Sequence, residues 1–130
     1  MTKAFTHLMF VGDAVAAMDL YRATFSDFRI EHMERYGQGE QGPEGTVKRA
    51  DAKLGDHALI VIDSPVKHDF TFTPSVSLFV NCDTAEELDA AFASLSAGGK
   101  VFMPINNYGF SKRFGWCSDR FGMSWQLNLE

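Results

Sequence analysis

The chain predicts an α+β fold built from two βαβββ modules, and three observations carry that prediction. A strand followed by a helix occurs twice at a constant offset of 70 residues, seen in the pairs Met18/Leu88, Asp19/Asp89 and Phe25/Leu95. Each copy is followed by short strand-like runs with Gly-containing connections. The chain closes on Phe114-Gly115-Trp116-Cys117-Ser118-Asp119-Arg120-Phe121-Gly122-Met123-Ser124-Trp125-Gln126-Leu127-Asn128-Leu129, two strands around an Asp-Arg-Phe-Gly turn.

In the first module, which spans about residues 1–63, Phe5 to Val11 is rich in aromatic and aliphatic residues and reads as a strand. Asp13 is a good N-cap for a helix reaching about Phe25, with Val15, Met18, Tyr21 and Phe25 on one stripe. Phe28 to Arg35 alternates as a second strand. Residues 36–45 hold several Gly and one Pro and read as a loop. Thr46 to Lys53 and His57 to Asp63 form a hairpin joined near Gly55-Asp56. Ser64 to Pro74 is the one linker-like stretch.

The second module spans about residues 74–130. Ser75 to Asn81 is its first strand, and Asp83-Thr84-Ala85-Glu86 resembles a capping box with Asp83 as N-cap. The helix ends at Gly98-Gly99, a common C-terminal signal. Lys100 to Met103 is a short extended run, and the terminal hairpin follows. A turn across Arg120-Phe121 pairs Ser118 with Met123 and Trp116 with Trp125. That register places Arg113, Cys117, Ser124, Gln126 and Asn128 on one face and Trp116, Trp125 and Leu127 on the other.

A chain of 130 residues is one domain by length, and 45% hydrophobic content with twelve Phe supplies a sizeable core. The net charge of −5 argues against nucleic acid or an anionic membrane as partner, since both require basic patches. No apolar run approaches a membrane span, and the N-terminus lacks a signal-peptide pattern. Cys82 and Cys117 lie far apart without CxxC spacing, which fits a reduced, cytoplasmic protein.

The βαβββ-βαβββ order, Met103-Pro104 after Gly98-Gly99, and the terminal block with Trp116, Asp119-Arg120-Phe121-Gly122 and Trp125 resemble the vicinal oxygen chelate superfamily. That group holds glyoxalases, fosfomycin- and bleomycin-resistance proteins and ring-cleaving dioxygenases. The hairpin and the Asp13-to-Tyr21 helix are similar to its PhnB-like branch, whose members are often described as demethylubiquinone methyltransferases. The resemblance implies curled mixed sheets forming a cup, a small molecule held in that cup, and a homodimer. It also implies a divalent metal held by His and Glu from the first and last strands of each module.

Carried onto this chain, the four ligand positions fall on Thr6, Val61, Ser75 and Gln126, none of them His, Asp or Glu. Zn- or Ni-type ions need imidazole, thiolate or carboxylate to compete with water, so the expectation is a site without metal or other cofactor. A slip of one residue would bring in His7 for Thr6, with His57 and Asp63 as partners from the same module. The expected cup lining is therefore Thr6, Val61, Ser75, Arg113, Cys117, Ser124, Gln126 and Asn128, with Arg113 as anchor for an anionic group. Asn106, Asn107, Tyr108 and Phe110 form a loop placed to rim it.

No Gly-rich strand-to-helix loop suits adenosylmethionine or a dinucleotide, because Gly12 stands alone and Gly98-Gly99 ends a helix. The leading functional expectation is a metal-free small-molecule-binding protein of the glyoxalase and bleomycin-resistance type. The alternatives are a metal-dependent lyase, isomerase or transferase with a non-standard ligand set, and a structural or regulatory homodimer with a vestigial cup.

Overall fold

The computed structural model describes residues 1–130, which divide into two compact units, Met1–Asp69 and Phe70–Glu130. The first contains β1 (Thr6–Phe10), α1 (Ala14–Thr24), β2 (Phe28–Arg35), β3 (Val47–Leu54) and β4 (His57–Asp63). The second repeats the plan with β5 (Ser77–Asn81), α2 (Ala85–Ser96), β6 (Lys100–Asn106), β7 (Arg113–Ser118) and β8 (Ser124–Leu129). The sheets are open and topologically identical, β1-β4-β3-β2 and β5-β8-β7-β6. In each, the first strand runs parallel to the last and the other neighbours are antiparallel. These are the two βαβββ modules expected from the sequence.

Each helix covers one face of its own sheet. In the first unit Leu8, Phe10, Ala50, Ala52, Leu59 and Val61 are buried on the α1 side with Ala17, Met18 and Tyr21. In the second unit Leu78, Cys117, Trp125 and Leu127 are buried with Leu88, Ala91, Phe92 and Leu95 of α2. A Cβ added to Gly115 would lie 2.6 Å from the Phe92 ring, so glycine lets α2 lie against β7. Leu8/Leu78, Met18/Leu88, Tyr21/Ala91 and Phe25/Leu95 are all buried, and the 70-residue offset is thus an offset of core positions.

The two helices begin by different means. Asp13 occupies the N-cap position of α1, but its side chain makes no capping hydrogen bond. The carboxylate of Asp63 replaces it: Oδ1 accepts from the backbone N–H of Gly12 (2.8 Å) and Ala14 (3.0 Å), and Oδ2 from Val47 (2.9 Å). In the second unit the N-cap is Thr84, one residue later than expected. Its hydroxyl accepts from the Glu87 N–H, and the Glu87 carboxylate accepts from the Asp83 N–H.

Three strand expectations are corrected. β5 starts at Ser77, because residues 73–76 form a turn closed by Val76 N–H to the Thr73 carbonyl. β6 continues through Pro104 to Asn106. It is an edge strand with register irregularities on either side of Met103, where a residue lacking an N–H is tolerated. The terminal hairpin pairs Ser118 with Ser124, Cys117 with Trp125 and Trp116 with Gln126, one residue away from the expected register. Its turn is longer than a two-residue turn. Asp119 Oδ1 accepts from the N–H groups of Phe121 and Met123, Oδ2 accepts from the Trp125 indole, and Gly122 takes φ +95°.

Candidate functional site

The corrected hairpin register sorts the expected lining residues into two groups. Arg113 and Cys117 alternate with Gly115 onto the α2 face. Arg113 makes a two-pronged ion pair with Asp89 of α2, Nε to Oδ1 at 2.7 Å and a terminal nitrogen to Oδ2 at 2.9 Å, which holds the guanidinium still more firmly charged. It therefore ties β7 to α2 and is already partnered. Cys117 is fully buried beneath the helix, and burial, with Asp119 nearby, pushes its thiol up to about 12. Cys82 is likewise pushed up to about 11 by burial and by Glu87 and Asp83. Neither thiol is a nucleophile at neutral pH. Native protein is expected to leave both unreacted with a thiol reagent such as dithionitrobenzoate at pH 8, and both to react in denaturant. Rapid labelling of Cys117 in the native state would contradict this burial.

Ser124, Gln126 and Asn128 lie together on the opposite face, turned away from α2. Here β5 supplies Ser77, Phe79 and Asn81, which pair directly with Ser124, Gln126 and Asn128. β7 adds Trp116 and Phe114. The polar groups form a connected set. The Trp116 indole N–H donates to Ser124 Oγ (2.8 Å), the two serine hydroxyls share a hydrogen bond (2.6 Å), and Gln126 Nε2 donates to Ser77 Oγ (3.2 Å). At the far end Asn128 Nδ2 donates to Asn81 Oδ1 (2.8 Å).

Aromatic rings flank this set. Phe79 is 56% exposed and lies 6.2 Å from the buried Phe114, which also meets Phe110 edge-on at 5.0 Å and Tyr108 at 6.1 Å. Phe102 packs on Trp116 at 5.0 Å. Of the four strands only Arg113 and Lys100 carry charge. Arg113 faces α2, and Lys100 lies over the Phe102 ring at the β6 edge. The face is uncharged at its centre.

The remaining expected positions fall elsewhere. Ser75 sits in the turn before β5, hydrogen-bonded to Thr73, and Ser77 takes the place on the strand expected for it. Ser77 was legible as the serine directly opposite Ser124 once the register is right. Thr6 and Val61 share the α1 side of the first sheet with Leu8 and Leu59, and Val61 is fully buried. The Thr6 hydroxyl is bonded to His57 Nε2 (2.8 Å) at the exposed strand end. Asn106 and Asn107 cap their own loop, Asn107 Oδ1 accepting from the Gly109 N–H.

The metal implied by the fold does not suit these residues. His7 pairs with Ile60 on the face away from α1, whereas His57 and Asp63 alternate onto the α1 side. Asp63 is already bound to three backbone N–H groups. No three His, Cys, Asp or Glu side chains converge anywhere in the chain. The uncharged face of the second sheet offers only hydroxyls, amides and an indole, a poor set for a transition metal. A cleft of about 210 Å³ does occur in the first unit, lined by Gly12, Pro43, Thr46, Asp63, Ser64 and Lys67 among others. Its carboxylate is the one that anchors α1.

Comparison with known proteins agrees with the topology. A family profile described as 3-demethylubiquinone-9 3-methyltransferase matches residues 2–128. The chain is similar to the solved structure of a PhnB protein from Bacillus cereus, with 45% identity, TM-score 0.94, and coverage of 99% of this chain and 100% of that one. It is also similar to protein PA1353 from Pseudomonas aeruginosa, with 26% identity, TM-score 0.87, and coverage of 100% and 98%. A glyoxylase/bleomycin resistance protein/dioxygenase domain from Frankia sp. EAN1pec shares the fold at 16% identity, TM-score 0.68, and coverage of 99% and 92%.

Proposed function

Since the chain belongs to the PhnB-like family described as 3-demethylubiquinone-9 3-methyltransferase, within the vicinal oxygen chelate superfamily, we propose that it works as a small-molecule-binding protein without the superfamily's metal. The ligand lies on the face of the second sheet turned away from α2, against Phe79 and Trp116 and in reach of Gln126 and Ser77. One observation carries this reading. A connected network of uncharged polar groups stands beside a phenylalanine that is more than half exposed, and no helix of its own unit covers it. Such pairing of apolar area with a few fixed polar groups is what small-ligand sites share.

This reading leaves no role for methyl transfer. Methyl transfer from adenosylmethionine needs a binding loop for that cofactor, and the one positive-φ glycine between a first strand and its helix, Gly12, abuts an N-terminus whose N–H groups are held by Asp63. The proposal includes a homodimer in the cytoplasm. Exposed Phe5, Val11, Val66, Phe70 and Val76 supply apolar area for self-association, and two buried free thiols suit a reducing compartment. No helix is long and apolar enough to cross a membrane.

The test is a metabolite screen by thermal shift, repeated on Phe79→Ala and Gln126→Ala. A ligand present at a hundred times its Kd stabilises the protein by about 2.7 kcal/mol. The expected result is at least one stabilising compound whose affinity drops roughly tenfold or more in each variant, about 1.4 kcal/mol. The ligand-free variants should melt near the parent, because both side chains are partly exposed. Ligands whose binding ignores both substitutions would sink the proposal.

A further inference from the structure

We infer that the ligand of this face is an uncharged, flat ring bearing a hydrogen-bond acceptor directly beside a donor, the pattern of a lactam edge. The inference rests on the binding role proposed above and deepens it. Its first ground is the bookkeeping of the serine pair. Ser124 is completely buried and accepts from the Trp116 indole, while Ser77 is only half-buried. If Ser77 donated to Ser124, the Ser124 hydroxyl proton would be sealed inside without an acceptor, an unfavourable state for a buried donor. Ser124 therefore donates to Ser77. Ser77 already accepts from Gln126 Nε2 as well, so both its lone pairs are used and its own proton points outward.

The second ground lies on the neighbouring side chain. Gln126 Nε2 is turned to Ser77, which leaves the carboxamide oxygen as acceptor beside the outward hydroxyl proton. The site thus presents one donor and one acceptor next to each other, anchored through the buried Ser124 to the half-buried Trp116 indole. A ligand that answers both carries a carbonyl adjacent to an N–H. The third ground is charge and shape. Of the two charged side chains on these four strands, Arg113 faces α2 and Lys100 lies over Phe102 on the edge strand β6, two strands from Gln126 and three from Ser77. The sheet thus gives an anion or cation at this pair no charged partner to offset its lost hydration. The exposed Phe79, backed by the buried Phe114, and the half-buried Trp116 offer ring faces and edges that favour a flat aromatic partner over a saturated one.

The experiment is protein-observed NMR of the full chain at millimolar concentrations of four probes of similar size: 2-pyridone, N-methyl-2-pyridone, δ-valerolactam and benzoate. The expected result is shifts centred on Phe79, Trp116 and Gln126 with 2-pyridone. N-methylation should weaken binding about tenfold in the parent, the scale of one lost hydrogen bond to a fixed acceptor, and much less in Gln126→Met. Valerolactam and benzoate should bind this face more weakly than 2-pyridone. Equal or tighter binding of benzoate or valerolactam there overturns the ligand class while leaving a small-molecule site intact. A methylation penalty unchanged in Gln126→Met overturns the assigned acceptor. If none of the four probes shifts these residues, the ligand class fails. Only an empty metabolite screen in addition would remove the binding role itself.

Discussion

Replacing Asp63 with alanine is expected to cost about 3–4 kcal/mol of stability, because three backbone N–H groups lose a charged acceptor at once. The side chain is 2% exposed and bridges three segments: the end of β1, the first turn of α1 and the start of β3. Water has little access to replace it. Asp63→Asn should recover only part of the loss. Its oxygen can serve Gly12 and Ala14, but its NH2 group then opposes the Val47 N–H, donor against donor. Urea unfolding followed by signals from the first unit would measure both. A loss below about 1 kcal/mol for alanine would mean that the three N–H groups find other partners.

Asp119 is expected to behave in the same way in the terminal hairpin, with a cost of about 3 kcal/mol for alanine. Its Oδ1 shapes the turn through Phe121 and Met123, and its Oδ2 accepts from the fully buried Trp125 indole. Asp119→Asn again sets an NH2 group against a donor. The distinguishing measurement is a double-mutant cycle with Trp125→Phe. Removing the indole N–H should make Asp119→Asn less harmful by about 1 kcal/mol, since the unsatisfied pair then no longer exists. Additive losses would show that Asp119 acts on the turn alone.

That turn also explains which parts of the site were readable from the sequence. The strands β2 and β4 have the bounds that alternation and Gly55-Asp56 imply, and the module order follows from the 70-residue repeat. Hairpin register does not follow from composition. A pairing of Ser118 with Met123 and one with Ser124 differ by one residue, and the turn that accompanies the latter is built from the Asp119 side chain folded back on two N–H groups, two backbone bonds and Gly122 at positive φ. That single residue moves Arg113 and Cys117 from the open face to the helix. It puts Trp116 on the same face as Gln126, as its cross-strand partner, instead of on the other face. The pairing of Arg113 could not be read either, because its partner Asp89 sits on α2, more than twenty residues away in sequence.

Val61 shows a different limit. The run His57 to Asp63 is apolar at both parities, so alternation within β4 cannot tell its two faces apart. The signal lay in the neighbouring strand, where Ala50 and Ala52 alternate with Arg49, Asp51 and Lys53 and mark the side that receives α1. Ser124, Gln126 and Asn128 survived as a group for the opposite reason: three polar side chains at every second position move together under any shift of register.

The unequal capping of the two helices predicts an order in which their first turns become fixed. Thr84 and Glu87 close the first turn of α2 within a few residues, so that end can form as soon as its own segment is made. The first turn of α1 waits for Asp63, about fifty residues downstream, and so for β4 to dock beside β1. Contacts of such sequence separation form late, since a long loop must close first. The first turn of α1 is thus expected to become protected later than that of α2. Pulsed hydrogen exchange during refolding should protect the Glu87 amide before those of Gly12 and Ala14, and simultaneous protection would count against this order.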